Sequence, residues 1–549
     1  MAAGDIETVS DLVVRLREAT IGGDTMIPGP FGPRPLIYAD HTASGRSLDF
    51  IEQAIVTGVL PLYANTHSET SFTGAQTTRF REEARATIRQ AVGADQRHAV
   101  IFTGSGATAA INKLASVIGL RGPAAAAPRD AVVFVGPYEH HSNELVWRES
   151  PAKLVRIPLD DDGRLCLATL EAELKNHAGA GLRIGSFSAA SNVTGVCTDI
   201  RALGRVLHAH GAWFFADYAA GGPYLDIDMA ESVPGAQDHC DAIFVSPHKF
   251  IGGPGASGVL VADRRLFTNG IPSVPGGGTV SFVSASRQHY ITDIEHREEA
   301  GTPAILGDIR AGLAFALKAD IGPARIEALE GAIVRRVLAD WGQNPAIEVL
   351  GPTGGQRLAI FSFNIRVHDG YLHPHFVVAL LNDLFGIQAR GGCSCAGPYG
   401  HDLLHIGDPE SEQLEGLVNA GLGVFRPGWV RLNFHFTLDA ENIDYIVAAV
   451  HFVARRGADL LRLYRCQPDS GRWQYAGGSA IGSRGFDALC AWRDEIELRE
   501  TTAARLPLGA YLARAEAIAD EARTTPNEVA DLSMARPERW FAIAGDLVA

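Results

Sequence analysis

Lysine is scarce in this chain: of 48 basic side chains in 549 residues, only Lys113, Lys153, Lys175, Lys249 and Lys318 are lysines. Any chemistry that needs a primary amine is confined to those five positions. Long apolar runs are also missing, so no segment reads as a membrane span. The first residues carry Asp5, Glu7 and Asp11 and lack an apolar stretch behind a basic start, so no signal peptide is expected. Basic excess is absent as well. With 63 acidic against 48 basic residues the net charge is −15, which argues against nucleic acid and against an anionic membrane as partners. The seven cysteines are odd in number and lack framework spacing, so reduced thiols and a cytoplasmic setting are expected. No internal repeat is present, and the only biased tract is the alanine run at 124–127.

The remaining composition, 46% hydrophobic and 20% charged, is that of a globular protein with material for a large core. Residues 1–35 read as a leader or arm that ends in Pro28, Pro30, Pro33 and Pro35. From 36 to 310 short apolar runs alternate with helical patterns. Strands are predicted at 98–103, 131–136, 184–188, 213–217, 242–246 and 258–262, with helices such as 106–119 and 199–210 between them. Asp199 and Gly211 are the expected cap and stop of the second helix. That alternation implies an α/β fold with a mainly parallel sheet covered by helices on both faces. Ligands then collect at the carboxyl ends of the strands. Residues 271–310 read as loop, and 308–340 as a linking helix. Residues 311–455 read as a smaller α+β domain on which the arm could pack, and 456–549 as an extension of unknown role with a helix at 507–523.

Two strand ends carry chemistry. In DAIFVSPHKFIGGPGASG (241–258) an apolar strand delivers Ser246, Pro247, His248 and Lys249 into a glycine-rich turn. A lysine that forms a Schiff base must be fixed, partly desolvated and able to become neutral, and a strand end at a crevice meets those needs. Ser246 and His248 can donate to a phosphate; the bland alternative is a surface lysine after a strand. In AWFFADYAAGG (212–222) Asp217 likewise ends a buried run. A buried carboxylate requires a partner, and the pyridine nitrogen of pyridoxal 5′-phosphate is one that would also become electron-withdrawing. Asp217 as a simple loop cap is the alternative.

Three further motifs are weaker alone. TGSGATAAIN (103–112) opens a helix after a strand, where free N–H groups and the dipole attract phosphate, but it fits no Walker pattern. In YEHHSNELVW (138–147) the paired histidines lack the i, i+4 or cysteine partners of a metal site, so no metal is expected; a ring stacked on a cofactor and a hydrogen-bonded loop histidine both remain open. In QARGGCSCAGPYG (388–400) Arg390 could lower a thiol pKa or clamp a substrate carboxylate. Cys393 and Cys395 could be catalytic, inert or a redox-labile pair.

In this order the motifs resemble the cysteine desulfurase and selenocysteine lyase branch of the class V aminotransferases. The strings are YADHTASG (38–45), NTHSETS (65–71), SGATAAIN (105–112), EHHSN (139–143), SNVTG (191–195), ADYAA (216–220), SPHK (246–249), GGG (276–278), AGTP (300–303), RGGCSCAG (390–397) and VRLNF (430–434), and the likeness spans roughly 36–455. It implies the type I fold of pyridoxal-phosphate transferases, with a seven-stranded sheet. It implies that Lys249 carries the cofactor, Asp217 meets its pyridine nitrogen and His140 stacks on its ring. Ala107, Thr108, Ser246 and His248 would hold the phosphate, joined by Thr302 of the other subunit in a homodimer with shared sites. Asn192 would face the cofactor and substrate, and Arg431, helped by Arg390, would grip an amino-acid carboxylate. Cys395 falls where desulfurases carry their persulfide-forming cysteine, so a protein sulfur acceptor is a conceivable partner.

The chain departs from that pattern at Ala220, where desulfurases usually carry Gln or His. Its RGGCSCAG loop is closer to that of molybdenum-cofactor sulfurases, residues near 399–427 lengthen the spacing to Arg431, and the tail beyond 455 has no counterpart in compact desulfurases. Cleavage of a C–S or C–Se bond is the leading expectation. A transaminase or other elimination lyase that ignores Cys395, and a non-catalytic scaffold that binds the cofactor, are the alternatives.

Overall fold

The computed structural model describes residues 11–66, 68–122, 130–368, 370–478, 485–486, 490, 504–525 and 539–543. The alanine run at 124–127, His67 of the NTHSETS string and much of the tail lie outside them. The chain forms two compact units. One comprises Met1–Ile21, His41–Gly331 and Gly354–Leu358; the other comprises Gly22–Asp40, Ala332–Thr353 and Ala359–Ala549. The boundary in the chain thus falls at Gly331 rather than at 310, and the described residues beyond 455 belong to the second unit.

The first unit is built on seven strands: β1 (His98–Thr103), β2 (Ala131–Val135), β3 (Lys153–Arg156), β4 (Leu182–Ser188), β5 (Trp213–Asp217), β6 (Ala242–Val245) and β7 (Gly258–Asp263). Their order is β1-β7-β6-β5-β4-β2-β3. Only β7 runs antiparallel to its neighbours. β1, β2, β6 and β7 are buried at every position, as the apolar runs require of a sheet covered on both faces. β3 has the sequence KLVR and no buried residue; it is an edge strand and carried no apolar signal. The helices used below are α1 (Phe72–Ala91), α2 (Gly106–Val117), α3 (His141–Arg148), α4 (Ile200–Ala209), α5 (Ile305–Ile321) and α6 (Pro323–Trp341). Asp199 caps α4 by accepting from Ala202 N, and Gly211 follows it at φ 65°. The single helix expected at 308–340 is two, because Gly322 at φ 88° stops α5 and Pro323 starts α6. The expected loop at 271–310 contains a short, exposed hairpin, Val280–Val283 with Gln288–Tyr290.

β1 is the other edge, and its outward N–H groups are capped by acids. Val100 N donates to Glu295 Oε1 (2.8 Å) and Phe102 N to Glu299 Oε1 (2.6 Å). Glu299 lies between Arg81 and Arg85 of α1, with Arg85 Nη2 at 2.9 Å, and Arg81 Nε reaches Asp308 of α5 at 2.7 Å. A buried carboxylate thereby closes a sheet edge that would otherwise be open to pairing.

The second unit holds an antiparallel sheet of β8 (Ile347–Val349), β9 (Ile360–Val367), β10 (Arg390–Gly392) and β11 (Trp429–Asn433), in the order β8-β9-β11-β10. Helices α7 (Pro374–Phe385) and α8 (Ala440–Leu460) and the hairpin β12 (Tyr464–Gln467) with β13 (Arg472–Tyr475) complete it. The tail helix α9 (Leu508–Ala522) buries Leu508, Tyr511, Ala515 and Ala519 in the same core as Leu380, Phe385 and Val453. Arg456 of α8 pairs with Glu516 and Asp520 of α9, each at 2.7 Å. No helix of the described residues is long and apolar enough to cross a membrane.

Replacing Glu299 by Ala removes the anion shared by two buried guanidinium groups, leaving Arg81 with Asp308 and Arg85 with Glu82. Breaking a buried pair in this way costs about 3–5 kcal/mol, so the thermal midpoint is expected to fall by several degrees. An unchanged midpoint would show that the edge is held otherwise.

Candidate functional site

Three parallel strands end side by side. Ser188 of β4 is the register partner of Asp217 on β5, and Asp217 of Phe244 on β6. Just beyond these ends come the turn with Asn192, the carboxylate of Asp217, and the segment Ser246–Lys249. Asp217 is 3% exposed, and its Oδ1 accepts from Ala219 N at 2.8 Å. Burial drives its pKa up to about 6, against the opposing charge of Lys249. Lys249 ends a tight turn, Pro247–Lys249, whose backbone is packed closely on residues 44–46. Gly45 N donates to His248 O (2.9 Å), and a methyl group on Gly45 would run into the Phe250 carbonyl.

The other four lysines are engaged elsewhere. Lys113 donates to Glu298 O (2.6 Å), Lys153 meets His177 (2.8 Å) and Lys175 pairs with Glu171 (2.7 Å). Lys318 is buried, donates to Gly222 O (2.7 Å) and to Leu225 O, and is lowered to about pKa 7 by burial. Lys318 also lies 5.7 Å from the ring of Phe250, so it braces the turns that follow Asp217 and Lys249.

A cradle for an anion faces Lys249's segment at the start of α2. Ala107 N donates to Ser246 Oγ (2.9 Å). Gly106 has φ 59°, and a side-chain carbon there would come within 2.7 Å of Ser246 Oγ and 2.9 Å of His248 Cε1. His248 is lowered to about pKa 4 by burial and then by Lys249, so it is neutral at pH 7 and retains one N–H to donate. Thr108 Oγ1 meets Ser142 Oγ (2.7 Å), which meets His140 Nδ1 (3.0 Å), while Ser142 N donates to the same nitrogen (3.1 Å). His140 is thereby oriented as the N-cap of α3 with its proton on Nε2. Six expected residues, Ala107, Thr108, His140, Ser246, His248 and Lys249, thus share one neighbourhood with Asp217. Thr302 stands outside these bonds; it is exposed and accepts from Asn65 Nδ2 at 3.3 Å. A buried acid beside a lysine, with a small-residue anion cradle next to them, fits the pyridine nitrogen, aldehyde and phosphate of pyridoxal 5′-phosphate.

Glu139, a residue with no sequence signal beyond its place before His140, is buried next to Asp217. It accepts from Gly136 N (3.3 Å), Ser188 N (3.1 Å), Ser188 Oγ (2.6 Å) and Asn143 Nδ2 (2.7 Å). Burial, reinforced by the charge of Asp217, raises it to about pKa 7 despite those donors. Glu139 therefore ties the His140 turn to the end of β4.

In the second unit Arg390 and Arg431 are register partners on β10 and β11. Both reach one carboxylate: Arg390 Nε lies 3.0 Å from Asp40 Oδ2, and Arg431 Nη2 lies 2.9 Å from Asp40 Oδ1. The two arginines can therefore grip a carboxylate together, and Asp40 is the one they hold. β10 leads into Cys393 and the exposed Cys395. Ser394 and Cys395 have φ of 53° and 56°, consecutive left-handed residues without glycine, a conformation that persists only where surroundings impose it. His375 is part of those surroundings. Its ring fills the space against Gly391, and its Nδ1 lies 3.0 Å from Gly471 O in the β12–β13 turn. The tail hairpin thus braces the strand that leads to the cysteines.

The fold and the lysine–carboxylate–cradle arrangement define an α/β enzyme scaffold of the kind that carries a phosphorylated aldehyde cofactor. Residues 37–446 match the aminotransferase class-V family, and the chain belongs to it. Its members depend on pyridoxal 5′-phosphate. A cysteine desulfurase of Dickeya dadantii is 30% identical over 66% of this chain and 84% of its own. The apo structure of a cysteine desulfurase from Thermococcus onnurineus superposes with a TM-score of 0.64 at 27% identity, over 76% of this chain and 95% of that one. The fold is shared with the cysteine desulfurase CsdA of Escherichia coli, at a TM-score of 0.61 and 22% identity over 76% of this chain and 94% of that one.

Glu139 has a testable signature. Its folded pKa of about 7 lies above the ordinary value of 4.5, so its contribution to stability is full below about pH 4.5 and is lost as pH rises through 7. In the cofactor-free protein, wild type should lose on the order of 3 kcal/mol relative to Glu139→Gln across that window. Parallel urea-denaturation profiles for the two proteins would contradict this.

Proposed function

We propose that this chain binds pyridoxal 5′-phosphate on Lys249 and removes sulfur from L-cysteine or a related amino acid, leaving alanine and a persulfide on Cys395. The observation that carries the reading is the charge coupling of buried Asp217 with Lys249 beside the Gly106–Ser246–His248 cradle. The named relatives, cysteine desulfurases of similar fold, support the choice of reaction.

Each residue has a physical task. Asp217, anionic beside a cation, would hold the proton on the pyridine nitrogen. Ala107, Thr108, Ser246 and neutral His248 donate to the phosphate at the positive end of α2. His140, oriented through Ser142, would cover the ring, and Asn192 would contact the cofactor and substrate. When bound, the cofactor supplies an electron sink for the substrate's α-carbon. The Lys249 amine, when free, would take the α-proton as base. Arg431 and Arg390 exchange Asp40 for the substrate carboxylate. The Cys395 thiolate attacks the substrate sulfur, the C–S bond breaks, and its electron pair is protonated to yield alanine. Cysteine plus an enzyme thiol thus gives alanine plus an enzyme persulfide, with no external oxidant. A thiol reductant or an acceptor protein then takes the outer sulfur. In the same reading the enzyme is a cytoplasmic homodimer, with exposed Thr302 completing the phosphate site of the partner subunit.

With L-cysteine and a thiol reductant, the protein should release alanine and sulfide in equal amounts. Lys249→Ala should lose roughly a hundredfold or more of that rate. Cys395→Ser should lose sulfide release while the cofactor spectrum still responds to cysteine. Full sulfide output from Cys395→Ser would remove the persulfide step, and a keto acid in place of alanine would favour transamination. Arg431→Lys should raise KM about tenfold or more with a smaller change in kcat.

A further inference from the structure

We propose that His208, His239 and Asp241 form a binding site for a divalent transition-metal ion, zinc being the best match, at the end of the sheet opposite the cofactor cradle. β5 begins at Trp213 and β6 at Ala242, so the cluster lies where these two strands start, whereas Asp217 and Lys249 lie where they finish. One donor atom from each of the three residues falls within 4.8 Å of the others. Asp241 is 2% exposed; its Oδ2 lies 2.9 Å from His208 Nε2, and its Oδ1 lies 3.5 Å from His239 Nε2. Ligand atoms on a tetrahedral zinc with bonds of about 2.0–2.2 Å stand about 3.3–3.6 Å apart, so small side-chain adjustments close the site.

The surroundings prepare the ligands. His208 projects from the last turn of α4, and its Nδ1 lies 2.8 Å from the Gln237 carbonyl. A carbonyl accepts only from N–H, so Nδ1 carries a proton; Nε2 donates to Asp241 Oδ2 in the metal-free protein and is the atom a metal would take by displacing that proton. His239 presents Nε2 in the same direction; its Nδ1 makes no hydrogen bond among the described residues and lies 3.8 Å from Glu231 Oε1. His208 therefore has the oxygen partner behind it that metal-bound histidines use, while the Glu231 carboxylate stands 3.8 Å behind His239. The carboxylate is fixed by Phe214 N, which donates to Oδ2 at 2.8 Å. The two rings stack with centroids 4.0 Å apart at 20°, and His239 is the more exposed of the two. Arg265, 3.9 Å from Asp241, is already held by Asp263 at 2.7 Å and lies over the Trp213 ring, so it rims the site without occupying it.

Two imidazole nitrogens and one carboxylate, with no thiolate, select zinc or a similar borderline ion over calcium, magnesium or copper(I). Three protein ligands leave a fourth position, which opens on a cleft of about 280 Å³. Bound metal would tie α4 to the segment that leads into β6.

The test uses the cofactor-loaded protein in a Cys393→Ser, Cys395→Ser background, so that the thiol loop takes up no metal. After equilibration with zinc chloride and gel filtration, about one zinc per chain should remain and the thermal midpoint should rise. His239→Ala removes a part-exposed loop side chain and should weaken zinc binding at least about tenfold, with the cofactor absorbance and zinc-free midpoint unchanged. His208→Gln should weaken zinc binding to a similar extent, with a lower zinc-free midpoint because His208 also holds the buried Asp241. Failure of the background protein to retain zinc, or equal zinc binding with and without His239, would overturn the proposal.

Discussion

The structure around the cradle depends on one constraint: a carboxylate that is almost fully removed from water must have a cation to face. Asp217 sits at the end of a buried strand with one backbone donor, and burial alone would push it towards neutrality. The positive charge of Lys249 opposes that, and a protonated pyridine would oppose it further. Placing acid and amine at neighbouring strand ends is something a parallel sheet does without special loops, because the strands finish together. The glycine-rich start of α2 then supplies anion-binding N–H groups on the same side of the sheet. Sheet topology, cradle and lysine are thus consequences of a single register.

Around this centre the protein repeats one device, the buried polar group satisfied by several fixed partners. Glu139 holds the His140 turn to β4 through four donors. Lys318 holds the turns after Asp217 and Lys249 through two carbonyls. Glu299 closes the β1 edge with two arginines. In the second unit Asp40 keeps Arg390 and Arg431 aligned, and the tail supports the cysteine loop through His375. Such networks rigidify what they satisfy.

The sheet was legible because six of its strands are apolar runs buried on both faces. β3 was not, since an edge strand reading KLVR gives no such signal. Lys249 and Asp217 were legible because an acid and an amine at the ends of apolar runs are conspicuous. Glu139, Asp40 and Lys318 were not, because their meaning lies in partners far along the chain; Asp40 is 350 residues from Arg390. The break at Gly322–Pro323 was visible as residues but hidden inside an otherwise continuous helical pattern. The His208, His239, Asp241 cluster gave no spacing that reads as a metal motif, because the fold, not the chain, brings α4 against the lead-in to β6.

The most direct test is reduction of the purified, cofactor-loaded protein with borohydride, followed by peptide mass analysis. Reduction freezes a lysine–aldehyde linkage wherever it exists, and only five lysines can carry it. The pyridoxyl mass should appear on the peptide that contains Lys249 and on no other. A label on Lys113, Lys153, Lys175 or Lys318, or no label at all, would contradict the account at its centre.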